Sequence, residues 1–435
     1  SLLQSPLVIG MPKEMAQAMG WPDRPIGWSD IIAISRDPNG WARYGHPEWG
    51  RFKLGKTNPQ ISTSGLNALV ATYYAATGLK NDLSETDLDQ PATVAFVSDL
   101  ERAVVHYGDT TNTFLANLLA ADASGSGLTY ISAVPVEEKQ LIAYNRGQLA
   151  SPGVKAGQRP SNPLVAIYPV DGTLVADHPY VTLKAPWVDS LQQDAAAKFL
   201  AYLQQPKQQR VFLDAGFRDH TGRASSLMGP DTGTTTAGPP IVDRPPSPAV
   251  LLHIERAWQQ LRKPARILFV LDVSGSMDDA NKIGLMKTAT QRAAKLLGDA
   301  DQAGLWIFPD QPGQRDYKQL LPIAPMVGTR SGFDQAVGRL SAAGATPLFV
   351  TLLAAIAAVK TGADSDHINA VVLLTDGQNS DGNSDLGSLL KTLSDQSREE
   401  SGVRVFTIAY GADADGGALG KIARASRGAA YDASK

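Results

Sequence analysis

The chain contains no cysteine among its 435 residues. That absence removes disulfide frameworks, thiolate metal sites and cysteine nucleophiles together, and it leaves the redox compartment open. Histidine is sparse as well. The six present are scattered, with none at i, i+4 spacing to another, which excludes the usual helical zinc pair. A surplus of one charge is missing too: 40 Lys and Arg face 43 Asp and Glu, for a formal net charge of −3. With no sustained basic run, a nucleic-acid footprint is not expected. No apolar run reaches the roughly 18 residues of a membrane helix. The most apolar stretch, 348–359, is shorter and reads as a buried helix. No basic, apolar leader is visible after Ser1, which leaves localisation undetermined. There is also no nucleophile elbow with a Ser-His-Asp order, no Gly-x-x-x-x-Gly-Lys phosphate loop and no zinc helix.

What is present describes a globular protein: 43% apolar and 19% charged residues. The length calls for two domains or more. Residues 218–246 are rich in Gly, Thr, Ser and Pro and read as a mobile linker. It separates a first module, 1–217, from a second, 247–435. Ser247-Pro248 then opens a helix whose apolar residues Leu251, Leu252, Ile254, Trp258 and Leu261 recur near helical period, expected as an appendix of the second domain. From Arg266 onward, strand-like runs at 267–271, 304–308, 371–375 and 403–409 alternate with helical patterns near 281–298, 332–341, 347–361, 385–400 and 416–426. That alternation predicts an α/β, doubly wound, mostly parallel sheet. The first module also reads as α/β. Strands are expected at 7–10, 31–34, 141–145 and 164–168, and helices at 62–77 and 189–204. Glu137 and Glu138 read as a solvated turn.

The most informative stretch is 267–277, an apolar strand run that stops at Asp272, Ser274 and Ser276. Taken alone, such a run is equally a loop and helix cap. Further on, Thr346 sits in a Gly-Ala-Thr-Pro turn, and the apolar run 370–375 ends at Asp376. Together these side chains resemble the Asp-x-Ser-x-Ser…Thr…Asp set of a von Willebrand factor A domain, its metal-ion-dependent adhesion site. The resemblance implies that Asp272, Ser274, Ser276, Thr346 and Asp376 hold Mg²⁺, with Mn²⁺ or Ca²⁺ as substitutes. Mg²⁺ is a hard cation that takes oxygen ligands and keeps several waters. Neutral hydroxyls leave its charge unquenched, so it can accept a carboxylate from a protein partner. Asn379, Ser380 and Asp381 are candidates for the rim of that face.

The first module resembles type II periplasmic solute-binding proteins. The residues that carry this are 5–12, 58–65, 143–146, 167–173 and 177–179, with closing helices from 195 through 217. In that family a further lobe precedes the strand matched by 7–11, so the resemblance implies a module whose first lobe is absent or truncated here. Ser62, Thr63, Ser64 and Gly65 are the candidate ligand residues. Hydroxyls and unpaired amides at a helix N-terminus suit an anion. The plain alternative is that they only cap the helix.

The combination resembles actinobacterial cell-surface fusions. It implies an extracellular binding or adhesion protein, anchored through a segment outside this chain, with a protein ligand and a small solute or anion as partners. The alternative is a transport receptor with an accessory A domain. An enzyme is not expected, because Asp272 and Asp376 would both be spent on the metal, leaving no general base beside it.

Overall fold

The computed structural model describes residues 1–151, 153–309, 316–344, 346–377, 379, 385–397, 401–411 and 414–433, apart from the side chain of His106. The chain divides into two compact units, Ser1–Leu261 and Arg262–Lys435.

In the first unit the organising element is β1 (Leu3–Pro12), ten residues of which nine are buried. It pairs antiparallel with β4 (Val134–Glu137), β5 (Leu164–Ile167), β6 (Val175–Asp177) and β7 (Arg218–Asp219). A separate parallel pair is formed by β2 (Leu54–Thr57) and β3 (Val104–Gly108). Two expected strands are helices instead. Ile31–Ile34 falls within helix Trp28–Arg36, and 141–145 within helix Glu138–Asn145. Helix Ser190–Leu203 forms where its pattern predicts and is capped by Asp189, yet none of its residues is buried.

The segment 218–246 is docked rather than free. Arg218 pairs with β1 and lies 4% exposed, with its guanidinium bidentate on Glu138 at 2.8 Å through both Nε and Nη2. The same guanidinium donates to the carbonyls of Thr235 and Thr236. Thr232, Thr234 and Asp243 are buried, and Asp243 N donates to the Thr173 carbonyl. Mostly polar side chains hold this stretch, with Met228 a buried apolar one, so its composition reads as linker although its backbone is paired. Glu138 is 0% exposed, not a solvated turn, because this arginine and the Tyr168 hydroxyl satisfy it.

The amphipathic helix Pro248–Leu261 is placed in the first unit, not the second. Val250, Ile254 and Trp258 join the core that includes Trp28, Tyr73 and Leu100. Trp258 Nε1 donates to Glu101 Oε2 at 3.0 Å. Glu101 also accepts from Lys56 and Tyr107, forming a fully buried ion pair. A buried charge needs its partner and its remaining hydrogen bonds, and this helix supplies one of them.

The second unit is a six-stranded sheet. In chain order its strands are β8 (Ala265–Asp272), β9 (Gln302–Phe308), β10 (Lys318–Pro325), β11 (Ile368–Thr375), β12 (Arg404–Ala409) and β13 (Ala430–Asp432). Across the sheet the order is β10-β9-β8-β11-β12-β13, parallel except for the antiparallel edge strand β10. Alternation along β8 sends Leu268 and Val270 to one face and Phe269 and Leu271 to the other. The first pair packs with helices Leu348–Lys360, Leu386–Gln396 and Gly416–Ala425. The second packs with helices Lys282–Lys295 and Arg330–Gly338. Helices on both faces of a parallel sheet make the doubly wound architecture. The chain leaves β8 towards β9 on one side and later returns to β11 on the other, so the switch point lies at the carboxyl ends of β8 and β11.

Candidate metal centre

Asp272 is the last residue of β8 and is 0% exposed. Both its oxygens are occupied. Oδ1 accepts from the Ser274 amide at 2.8 Å, and Oδ2 accepts from Thr375 Oγ1 at 2.6 Å. Burial pushes its carboxyl above the ordinary aspartate value and the nearby Asp376 adds to this, while the bonds from Ser274 and Thr375 oppose it. Sequence alone does not single out Thr375. Ending β11 beside Asp272, it fixes that carboxylate, and the only sequence signal was its place immediately before Asp376.

The two serines follow in the loop. Ser274 Oγ and Ser276 Oγ are 3.2 Å apart, and Ser276 Oγ donates to Asp376 Oδ1 at 2.8 Å. Asp376 Oδ2 accepts from Lys282 Nζ at 2.6 Å. Thr346 arrives on a third segment, which backbone bonds tie to the first: Ala343 N to the Val273 carbonyl at 2.6 Å, and Gly275 N to the Gly344 carbonyl at 3.0 Å. Thr346 is 7% exposed and lies over Gly377, where an added Cβ would stand 3.3 Å from Thr346 Oγ1. All five residues therefore gather at the switch point.

Asn379 has a more specific job than rim residue. Its Oδ1 accepts from the amides of Leu348 and Phe349 at 3.0 and 3.2 Å, capping the helix that follows Thr346. It thereby links the Asp376 loop to the Thr346 loop. Ser380 and Asp381 lie outside the described residues.

The donor set is two carboxylates and three hydroxyls, all oxygen, which suits a small hard cation. Among the described residues no group of three or more His, Asp or Glu could hold a metal ion, so a site here depends on its hydroxyls. The cluster already attracts a cation: the Lys282 ammonium stands on Asp376, a charge of the sign a metal would bring.

The candidate ligand turn of the first unit is built differently. Ser62 caps helix Thr63–Thr77 by accepting from the Gly65 amide at 3.4 Å, and its hydroxyl donates to Thr57 Oγ1 at 2.9 Å. Gly65 is pressed against the Thr57 carbonyl, where a Cβ would not fit. Thr63 is exposed. Ser64 is buried, donates to Glu137 Oε1 at 3.4 Å and accepts from Thr111 Oγ1 at 3.3 Å, in the first turn of helix Thr111–Ala123. Burial raises the Glu137 carboxyl above its ordinary value, against the opposing influence of His178, Ser64 and Lys139. Helix capping therefore accounts for Ser62 and the Gly65 amide, while Ser64 belongs to a hydroxyl and carboxyl cluster.

Comparison with known proteins places both units. Residues 1–218 match the family of bacterial extracellular solute-binding proteins, and residues 267–435 match the von Willebrand factor type A domain. No curated protein matches the chain. Three solved structures are similar over about two fifths of the chain. A von Willebrand factor type A protein from Catenulispora acidiphila is 23% identical, covering 40% of this chain and 39% of its own, with a TM-score of 0.35. Proximal thread matrix protein 1 from the mussel byssus, with a zinc-occupied MIDAS motif, is 18% identical, covering 39% and 44%, with a TM-score of 0.31. The pilus adhesin SpaC from Lactobacillus rhamnosus GG is 17% identical, covering 39% and 28%, with a TM-score of 0.31. The chain thus spans less than half the length of each of these three. It belongs to the bacterial extracellular solute-binding protein family, and its C-terminal part is a von Willebrand factor type A domain.

Proposed function

We propose that the protein is an extracellular binding or adhesion protein whose A domain captures a protein partner through a divalent cation. One observation carries this reading: Asp272, Ser274, Ser276, Thr346 and Asp376 converge from three separate loops on the carboxyl ends of β8 and β11. In this reading the hydroxyls of Ser274, Ser276 and Thr346 hold Mg²⁺ or Mn²⁺, and the two carboxylates orient them and balance the charge. The ion, when bound, supplies an electron-poor position for an acidic side chain of the partner. Asp272 keeps Ser274 and Thr375 in place, and Asn379 keeps the Thr346 and Asp376 loops in register. The A domain is a binding module, with no catalytic role assigned to it. The extracellular setting rests on the family of the first unit, and no helix among the described residues is long and apolar enough to cross a membrane.

The solute-binding family also favours a small ligand for the first unit, with Ser62, Thr63, Ser64 and Gly65 at its edge. The Glu137 carboxyl beside Ser64 opposes an anion there and suits a solute that offers hydrogen-bond donors. The transport-receptor reading rests on this unit alone.

The test is calorimetric titration of Mg²⁺ and Mn²⁺ into the wild type and Asp272→Ala, followed by capture of cell-surface proteins with and without chelator. Heats for the wild type only, and capture lost with chelator, support the reading. Equal heats for both proteins would remove the metal assignment. Chelator-insensitive capture would move the transport receptor to first place.

A further inference from the structure

The cluster at the switch point includes a cation that the ligand pattern does not account for. Lys282 is the first residue of helix Lys282–Lys295. A helix N-terminus carries partial positive charge and disfavours a lysine. Its ammonium nonetheless turns back onto the loops, 2.6 Å from Asp376 Oδ2 and 3.4 Å from the Ser276 carbonyl, with the side chain only 13% exposed.

The approach is built into the backbone. Ala280 and Asn281 both adopt left-handed conformations, with φ of 50° and 60°, which alanine takes at a cost and asparagine more readily. The Asn281 side chain folds over Gly284. The lysine stem passes Gly411, in the loop after β12, where φ is +82° and an added Cβ would lie 3.1 Å from Lys282 Cε. An unfavourable helix end, a strained Ala280 and a gap for the stem bring the ammonium onto Asp376.

We propose that Lys282 sets the strength of the metal site by holding one oxygen of Asp376, so that an entering divalent cation meets a half-neutralised carboxylate. The inference rests on the metal-dependent reading above. Two effects act in the same direction. The ammonium repels a divalent ion, and it keeps Asp376 from turning fully towards one. A site weakened in this way leaves more of the ion's charge for a foreign carboxylate. Lys282 is therefore a positioning residue that exchanges resident affinity for dependence on the partner.

The experiment titrates the full chain with Mn²⁺, reading free Mn²⁺ by electron paramagnetic resonance. It compares wild type, Lys282→Met, Lys282→Gln, Lys282→Arg and Asp272→Ala. Lys282→Met should bind Mn²⁺ roughly tenfold more tightly, as expected for removing a like charge a few ångströms away. Lys282→Gln keeps a donor to Asp376 without the charge and should tighten binding less. Lys282→Arg should match the wild type. Thermal unfolding is the second readout. Without added metal, Lys282→Met should melt lower, because Asp376 is buried and loses its counter-charge, and added Mn²⁺ should raise its Tm by more than it raises the wild type's. Unchanged or weaker Mn²⁺ affinity in both Lys282→Met and Lys282→Gln, with the wild type still binding, would overturn the inference and leave the metal site standing. No binding in any protein, or equal binding in Asp272→Ala and the wild type, would overturn both.

Discussion

Two hydroxyl-bearing loops in this molecule have similar sequences and different fates. Ser62 caps a helix directly, and Thr63 and Ser64 are its first two residues. The Ser62 hydroxyl is consumed by the Gly65 amide and by Thr57. Ser274-Gly275-Ser276 also precedes a helix in the chain, but a turn through Asn281 intervenes and no side-chain bond caps the helix. The Ser274 and Ser276 hydroxyls face each other and Asp376 instead. The contrast teaches that a hydroxyl is available for a ligand only where the backbone amides have been satisfied elsewhere. In the second loop the Ser274 amide is given to Asp272, which releases the serine side chains.

Breaking Asp272 should have the largest effect. Asp272→Ala strands the Thr375 hydroxyl proton and the Ser274 amide in a buried site, which typically costs about 1–3 kcal/mol per unpaired group. Metal affinity should fall by at least about 100-fold, the upper range for losing a group that orients ligands. Denaturant unfolding and Mn²⁺ titration measure the two losses.

Thr346→Ala separates binding from folding. Metal-dependent partner capture should be lost, while stability changes by only on the order of 1 kcal/mol. Circular dichroism melting together with pull-down in Mg²⁺ checks both halves.

A buried carboxylate without the support that Asp272 enjoys sharpens the comparison. Asp243 is 2% exposed, and neither of its oxygens has a hydrogen-bond partner among the described residues. Burial pushes its carboxyl from 3.8 up to about 7, with Lys80 opposing and Asp171 adding. The folded pKa is raised, so the protonated form is the one that folding favours. Its contribution is fully present below about pH 4 and is lost as pH rises through about 7. Asp243→Asn should therefore raise the first unit's Tm at pH 8 and leave it nearly unchanged at pH 4, measured by scanning calorimetry across that range.

The smallest effect belongs to the capping serine. Ser62→Ala should cost about 1 kcal/mol of stability in the first unit and leave Mn²⁺ binding untouched. A change in metal affinity from this variant would erase the distinction between the two loops.

What the sequence made legible follows from the range of the interactions. The parallel strands β8, β9, β11 and β12 were legible because each holds a largely apolar run bounded by polar residues. β10 was not, since its residues are half-exposed on an edge and its pairing with β9 slips register twice. Ile31–Ile34 and 141–145 are too short for helical period to separate helix from strand. The five oxygen-bearing residues were legible as a pattern of types and order. Thr375, Lys282 and the capping contact of Asn379 were not, because each acts across a long separation: 103 residues to Asp272, 94 to Asp376 and 31 to Leu348. The linker-like composition of 218–246 hid Arg218, whose partner Glu138 lies 80 residues earlier.

The place of Trp258 governs where the chain can be cut. Its indole reaches Glu101 from helix Pro248–Leu261, the last element of the first unit. A fragment ending at 247, where composition invites the cut, would strip a donor from a carboxylate that is 0% exposed and uncover the apolar wall around it. A fragment carried through Leu261 keeps that wall closed. The stretch that looks like tether is thus part of the body it leaves, and the boundary between the two units lies beyond it, between Leu261 and Arg262.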